Sequence, residues 1–329
     1  MTAAVTAEDL QIRFRLRGQG TLRAVDGVSM AVQPRETLGI IGESGSGKST
    51  LGRALVGTTA PTAGRVLHDG KDLAALRGAA RRAHRRDYQL VYQDPNAALD
   101  PRMSVLQSVR EPLDIAKLGA RADRERKALA LLDRMGLTAE QAGRYPHELS
   151  GGQKQRVNIA RALTVSPRFI VCDEMVAALD VSIQADILNL FAELRQEFGL
   201  TTLFITHDIG VVTHVSDRIG VMYLGRLMEL GAASAVTSQA LHPYTRALLS
   251  AEPEFVPAQA GRTRRRVTLQ GEIPSPLHPP SGCRFRTRCP LAAERCATEE
   301  PAWREARAGH FVACHFALNQ EDAQREAIS

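Results

Sequence analysis

GESGSGKST, residues 42–50, fits the pattern G-x-x-x-x-G-K-[ST], and its reading decides the fold around it. Successive backbone N–H groups can cradle phosphate oxygens only where the chain turns tightly, and Gly42, Gly45 and Gly47 permit that turn. Lys48 then reaches the β- and γ-phosphates, while the Ser49 hydroxyl holds Mg²⁺. With Ser44 and Thr50, these residues form the predicted phosphate contacts. The flanks agree. TLGII (37–41) reads as a buried strand, and STLGRALVG (49–57) carries Leu51, Ala54 and Leu55 at helical spacing before stopping at Gly57. A helix opening on this loop aims its positive end at the phosphates.

The same alternation continues outward. AVDGVSMAV (24–32) is strand-like, and GRVLHDGKDL (64–73) reads as a hairpin turning at Asp69-Gly70. ADRERKALALLDRMG (122–136) places Ala128, Leu131, Leu132 and Met135 on one helical face and ends at Gly136. IQADILNLFAELRQEFG (183–199) carries Ile187, Phe191, Leu194 and Phe198 as an apolar stripe. RFIVCDE (168–174), TTLFITHD (201–208) and RIGVMYLG (218–225) are buried-strand candidates. Strands alternating with helices predict an α/β domain over residues 8–235. Proline then becomes dense in LHPYTRALL and EIPSPLHPPSG, which marks residues 236–329 as a separate extension with a polar tail from Leu318.

Composition narrows the setting. The start, MTAAVTAEDLQIRF, lacks the basic and apolar regions of a secretory signal, and no apolar run is long enough to span a bilayer. A soluble cytoplasmic protein is the expectation. The net charge of +6 and pI near 9.3 fit nucleic acid, an anionic surface or merely an arginine-rich chain. Acids and bases are interleaved except in RRAHRR (81–86) and RTRRR (262–266). Each of these stretches reads either as a solvated face or as a contact with a partner's loops or lipid headgroups.

Chemistry needs more than a phosphate loop. Asp173, closing the RFIVCDE strand, suits the second Mg²⁺ contact, and Glu174 beside it can orient and polarise water. LSGGQKQRVNIARAL (149–163) then resembles the signature sequence of ABC ATPases, and the rest of that family's set stands in order around it. Gln93 in VYQDP matches the Q-loop, AALD (177–180) the D-loop, and His207 in FITHD the switch histidine. The resemblance covers essentially the whole chain. It implies a P-loop ABC ATPase with a RecA-like core, an antiparallel β subdomain and a helical subdomain at about 94–165.

The family likeness assigns roles. Ser150, Gly151, Gly152 and Gln153 open a helix whose N–H groups would bind the γ-phosphate of ATP on an opposed protomer. Glu174 would be the catalytic carboxylate, His207 would hold the transition state, and Gln93 would link Mg²⁺ and water to the membrane subunits. Asp180 would connect the two sites. NAALDPRMSV, RYPHELSGGQKQR, VMYLGRLMELG and HPYTRALL look like dipeptide, oligopeptide and nickel importers, with GESGSGKSTLGRAL and EPL like the second of their two ATPase subunits. The implied partners are a second ATPase subunit, two permeases and an extracytoplasmic solute-binding protein, with the chain on the inner membrane face and no nucleic acid bound. Departures are Met175-Val176 and Ala177 where the family usually has other residues, and the absence of an obvious adenine-stacking aromatic, for which Phe14 is the nearest candidate. A soluble ABC ATPase acting on nucleic acid or ribosomes is the rival class. Against it stand the single signature and the importer-type extension. A regulatory subunit with a dead site is disfavoured by the intact Lys48, Asp173, Glu174 and His207.

Four cysteines crowd the end: Cys283, Cys289, Cys296 and Cys314, with only Cys172 elsewhere. A reducing compartment argues against disulfides. Spacing leaves zinc, an iron–sulfur cluster and unrelated structural thiols open, since no C-x2-C knuckle occurs. GCRFRTRCPLAAERC…VACH resembles the C-terminal motif of the peptide importers, which implies a [4Fe-4S] cluster on these four residues, with zinc as the alternative. His310 and His315 are expected to support the site or lie at the surface, and Cys172 to be core.

Overall fold

The strand that feeds the phosphate loop is buried along its whole length, which requires neighbours on both sides. The computed structural model describes residues 2–18, 20–177, 179–251, 269 and 271–317. Its strands are β1 (Val5–Leu16), β2 (Gly20–Val32), β3 (Thr37–Ile41), β4 (Ala63–His68), β5 (Lys71–Asp72) and β6 (Tyr88–Val91). They continue as β7 (Phe169–Asp173), β8 (Thr201–Ile205), β9 (Arg218–Tyr223), β10 (Arg226–Ala232), β11 (Arg304–Arg307) and β12 (His310–Val312). The helices are α1 (Lys48–Leu55), α2 (Gly78–Asp87), α3 (Pro95–Ala98), α4 (Val105–Ala116), α5 (Arg121–Arg134) and α6 (Ala139–Gly143). After them come α7 (Gly151–Leu163), α8 (Val181–Phe198), α9 (Ile209–Val215), α10 (Ala233–Ser238), α11 (Pro243–Ala251) and α12 (Glu294–Thr298).

One sheet has the order β11-β12-β10-β9-β3-β8-β7-β6. β3 lies parallel to β8 and β9, and β7 is parallel to β8 and β6. β3, β7 and β8 are buried at every residue, as expected for strands covered on both faces. Helices lie close upon them: a Cβ on Gly52 of α1 would come within 2.8 Å of Ile205 and Val171. The second sheet, β2-β1-β4-β5, is antiparallel. Its expected hairpin turns at Asp69 (φ 48°) and Gly70 (φ 76°), the two positive φ values of a type I′ turn.

Helices α3 to α7 occupy the span predicted as helical. Val105, Val109, Leu131, Leu132 and Val157 form one apolar cluster with Ile187 and Phe191 of α8. Ala128, Leu131, Leu132 and Met135 all turn inward, as the periodicity of 122–136 predicts. Reciprocal caps start three of these helices: Ser104 with Gln107, Thr138 with Gln141, and Ser150 with Gln153.

The segment after residue 235, expected to stand apart, returns to the large sheet. β12 pairs antiparallel with β10, and β11 with β12, so β11 and β12 build that sheet's edge. Glu229 on β10 explains the attachment. Fully buried, its carboxylate accepts from the N–H groups of Leu241 (2.8 Å) and His242 (2.9 Å) and pairs with His310 Nε2 (2.7 Å). The RTRRR stretch and the tail from 318 lie outside the described residues. Among the described residues no helix is long and apolar enough to cross a membrane.

Candidate nucleotide-binding site

The loop between β3 and α1 has the backbone its glycines suggest, with φ of 151° at Gly42, 76° at Gly45 and 103° at Gly47. Only glycine takes the last position cheaply, because a Cβ on Gly47 would sit 2.1 Å from the Ala24 carbonyl of β2. Gly45 faces open space, so a ligand can approach the backbone there. Lys48 is buried, and its ammonium donates to the carbonyls of Gly42 (2.7 Å) and Glu43 (3.1 Å). Burial lowers its pKa, opposed by Glu174, Asp173 and Glu43. Ser46, which sequence reasoning passed over, carries a buried hydroxyl at the loop's core with no hydrogen-bond partner among the described residues. A cradle of N–H groups, a buried cation and an unsatisfied hydroxyl fit a polyphosphate.

The acids arrive from the C-terminal end of β7. Ser49 Oγ donates to Asp173 Oδ1 at 2.7 Å, a pair of hard oxygen ligands suited to Mg²⁺. Burial pushes the Asp173 carboxyl above its ordinary pKa. Glu174 stands at φ 47°, a strained left-handed turn that swings it out of the strand line. There Gln93 Nε2 donates to its Oε2 at 2.8 Å, and His207 Nδ1 lies 3.7 Å from its Oε1. Lys48, Ser49, Gln93, Asp173, Glu174 and His207 are therefore brought together from four separate segments.

Ser150, Gly151, Gly152 and Gln153 are not brought there. They cap α7, whose Lys154 bonds Asn96 at 2.9 Å, and among the described residues no hydrogen bond or ion pair links them to 42–50. Asp180 stands at the start of α8 without a capping bond. Ala178 of the predicted D-loop lies outside the described residues. Phe14 on β1 pairs with Leu22 across the hairpin and remains 40% exposed, free to stack on a base.

Comparisons with known proteins agree with this geometry. The family described as "ABC transporter" matches residues 25–177, and that described as "Oligopeptide/dipeptide transporter, C-terminal region" matches 228–296. The oligopeptide transport ATP-binding protein AppF of Bacillus subtilis is 50% identical over 302 residues, covering 91% of each chain. The chain belongs to the ABC transporter ATP-binding family. A putative peptide import ATP-binding protein of Brucella ovis is 50% identical over 313 residues, 95% of this chain and 98% of that one. Among solved structures, the ATP-binding cassette MJ0796, in a dimer bound to ADP and Pi, superposes with a TM-score of 0.64 at 32% identity. It covers 70% of this chain and 98% of its own. The fold is thus that of a P-loop ABC ATPase.

In this ABC ATPase the four late cysteines are free and do not form a closed set. Among the described residues, no three His, Cys, Asp or Glu side chains converge as a metal-holding group, so the metal site expected from the sequence is not seen as such. Cys283 and Cys296 are buried and joined through the backbone, Cys283 N–H to the Cys296 carbonyl at 2.8 Å. Burial pushes the Cys289 thiol up to about 11 and the Cys314 thiol up to about 12. All four nonetheless lie within electrostatic reach, since Cys283, Cys289 and Cys296 each raise Cys314 further. His310 bonds Glu229 and His315 bonds the Glu299 carbonyl, neither touching a thiol. Cys172 is core, fully buried in β7.

Proposed function

We propose that this chain hydrolyses ATP to drive import of peptides through a membrane complex. The observation that carries the reading is the Gln93–Glu174–His207 group set against Lys48, Ser49 and Asp173. Phosphoryl transfer to water needs little covalent help; it needs the water aimed, the charge neutralised and the metal held. Lys48 and the loop N–H groups take the phosphates, and Ser49, Asp173 and Gln93 would hold Mg²⁺, which supplies charge neutralisation when bound. Glu174 orients the water, and His207 contacts the γ-phosphate. ATP is completed by Ser150 to Gln153 of an opposed subunit, with Asp180 at the junction. The relatives' names include oligopeptide transport and peptide import, which favours peptides as cargo.

Such a subunit works with a second, different ATPase chain, two permeases and a solute-binding protein, peripheral to the cytoplasmic face of the membrane. The natural boundaries are 8–235 for the ATPase, with 94–165 as the permease-facing helical part, and 236–329 for the extension. Cys283, Cys289, Cys296 and Cys314 would hold a [4Fe-4S] cluster; the likeness of this segment to the C-terminal region of oligopeptide/dipeptide transporters favours it. Iron and sulfide in equal amounts, about four per chain, are expected in anaerobically purified protein. Zinc without iron would overturn it. For the ATPase itself, Glu174→Gln in the assembled complex should leave ATP bound but slow turnover by about a hundredfold or more. Unchanged turnover would remove Glu174 from its role.

A further inference from the structure

The phosphate loop contains a carboxylate where a polyanion must bind. Glu43 follows Gly42, and its charge reaches Lys48. Bare, it would repel phosphate and compete for the same ammonium. Its neutraliser comes from the far end of the chain. Arg288 Nη1 donates to Glu43 Oε2 at 2.6 Å and Nη2 to Oε1 at 2.9 Å, a two-pronged pair 245 residues apart in sequence. The guanidinium side chain is only 8% exposed, and it lies 5.8 Å from the centre of the Tyr223 ring. Tyr244 Oη accepts the Glu43 N–H at 2.9 Å, so C-terminal residues hold both the backbone and the side chain of Glu43. Tyr223, Tyr244 and Phe285 pack together behind this contact, with ring centres 4.7 to 5.4 Å apart. Arg288 N–H donates to the Phe285 carbonyl at 3.0 Å, and Cys289 is the next residue.

We propose that Arg288 is a positioning residue for the nucleotide site, neutralising Glu43 so that the cysteine-bearing segment sets how tightly the loop takes ATP. The inference rests on residues 42–50 holding the phosphates. That reading has its own control: Lys48→Ala must lose ATP binding, and if it does not, the site assignment fails before Arg288 is at issue.

The test is the dissociation constant for MgATP on the purified full chain, read with a fluorescent ATP analogue at low and high salt. Arg288→Met should weaken binding by about tenfold at low salt and keep most of that loss at 0.5 M, because a largely buried charge is screened little. Arg288→Met with Glu43→Gln should return to within about twofold of wild type, since no charge is left to neutralise. A structural role alone predicts that the double variant stays as weak as Arg288→Met, and that result would overturn the proposal, as would unchanged binding in Arg288→Met. If Arg288→Met does not fold, Glu43→Gln alone decides. It should bind ATP at least as tightly as wild type, and weaker binding overturns the proposal.

Discussion

Lys48 shows how the site stores its binding power. Its ammonium is buried, burial favours the neutral amine, and three carboxylates pull the other way. Two backbone carbonyls hold it in the geometry a phosphate would take over. Removing it leaves Asp173 and Glu174 facing the phosphates without a cation, so Lys48→Ala should weaken ATP binding by at least about tenfold, measured by equilibrium titration. Binding equal to wild type would show that the loop does not take the nucleotide. At this scale the sequence was legible where spacing is local. GESGSGKST and CDE specify their neighbours within a turn or two. Glu43 and Arg288 were not legible, because nothing in RTRCP says which of its arginines will reach a loop 245 residues away.

Elements carry the second kind of information. α7 begins with a reciprocal cap, Ser150 Oγ accepting from Gln153 N–H and Gln153 Oε1 from Ser150 N–H. Ser150→Ala should cost about 1 kcal/mol of stability in urea unfolding, a modest loss beside whatever it costs in ATP turnover. The pairing of β10 with β12 was illegible for a different reason. Proline density marks where regular structure stops, and says nothing of where the chain returns; the buried Glu229 that draws it back reads in sequence as one more surface acid. A second hidden feature joins β4, α2 and β6. His68, His84 and Tyr88 stack with ring centres 3.8 to 4.6 Å apart, and His84 Nε2 meets His68 Nδ1 at 2.5 Å. Burial drives His68 down to about 3. The folded state therefore resists protonation that the unfolded chain accepts near pH 6.5. Stability from this group is complete above that pH and falls as pH drops toward 3, by at most about 1.4 kcal/mol per unit. Urea unfolding between pH 7 and 5 should show that slope, and His68→Gln should reduce it. An unchanged slope would place the acid sensitivity elsewhere, with His242, depressed to about 4 by burial, the next group to test.

The whole molecule reads as half of a machine. Residues 42–50, Gln93, Asp173, Glu174 and His207 assemble within one chain, whereas the Ser150 helix start is tied to Asn96 through Lys154 and makes no bond to the loop. Ser150 and Gly151 are exposed, and the Gly151 and Gly152 N–H groups stand outside the Ser150–Gln153 cap, where an anion from outside can meet them. A cassette dimer bound to ADP and Pi shares this fold. If the Ser150 to Gln153 turn closes on ATP held by another subunit, blocking it should abolish closure and spare the chain's own nucleotide site. Gly151 offers the place: a Cβ there would meet only Leu179, at 3.6 Å, so a larger side chain can project outward without disturbing α7. Gly151→Arg should bind MgATP with wild-type affinity as a single chain. Placed in a hydrolysis-slowed Glu174→Gln background with the partner ATPase subunit, it should fail to form the ATP-dependent pair that Glu174→Gln alone forms, as read by sedimentation. ATP binding lost in the single chain would mean that the turn serves its own site. A pair that forms normally despite the arginine would mean that it serves neither.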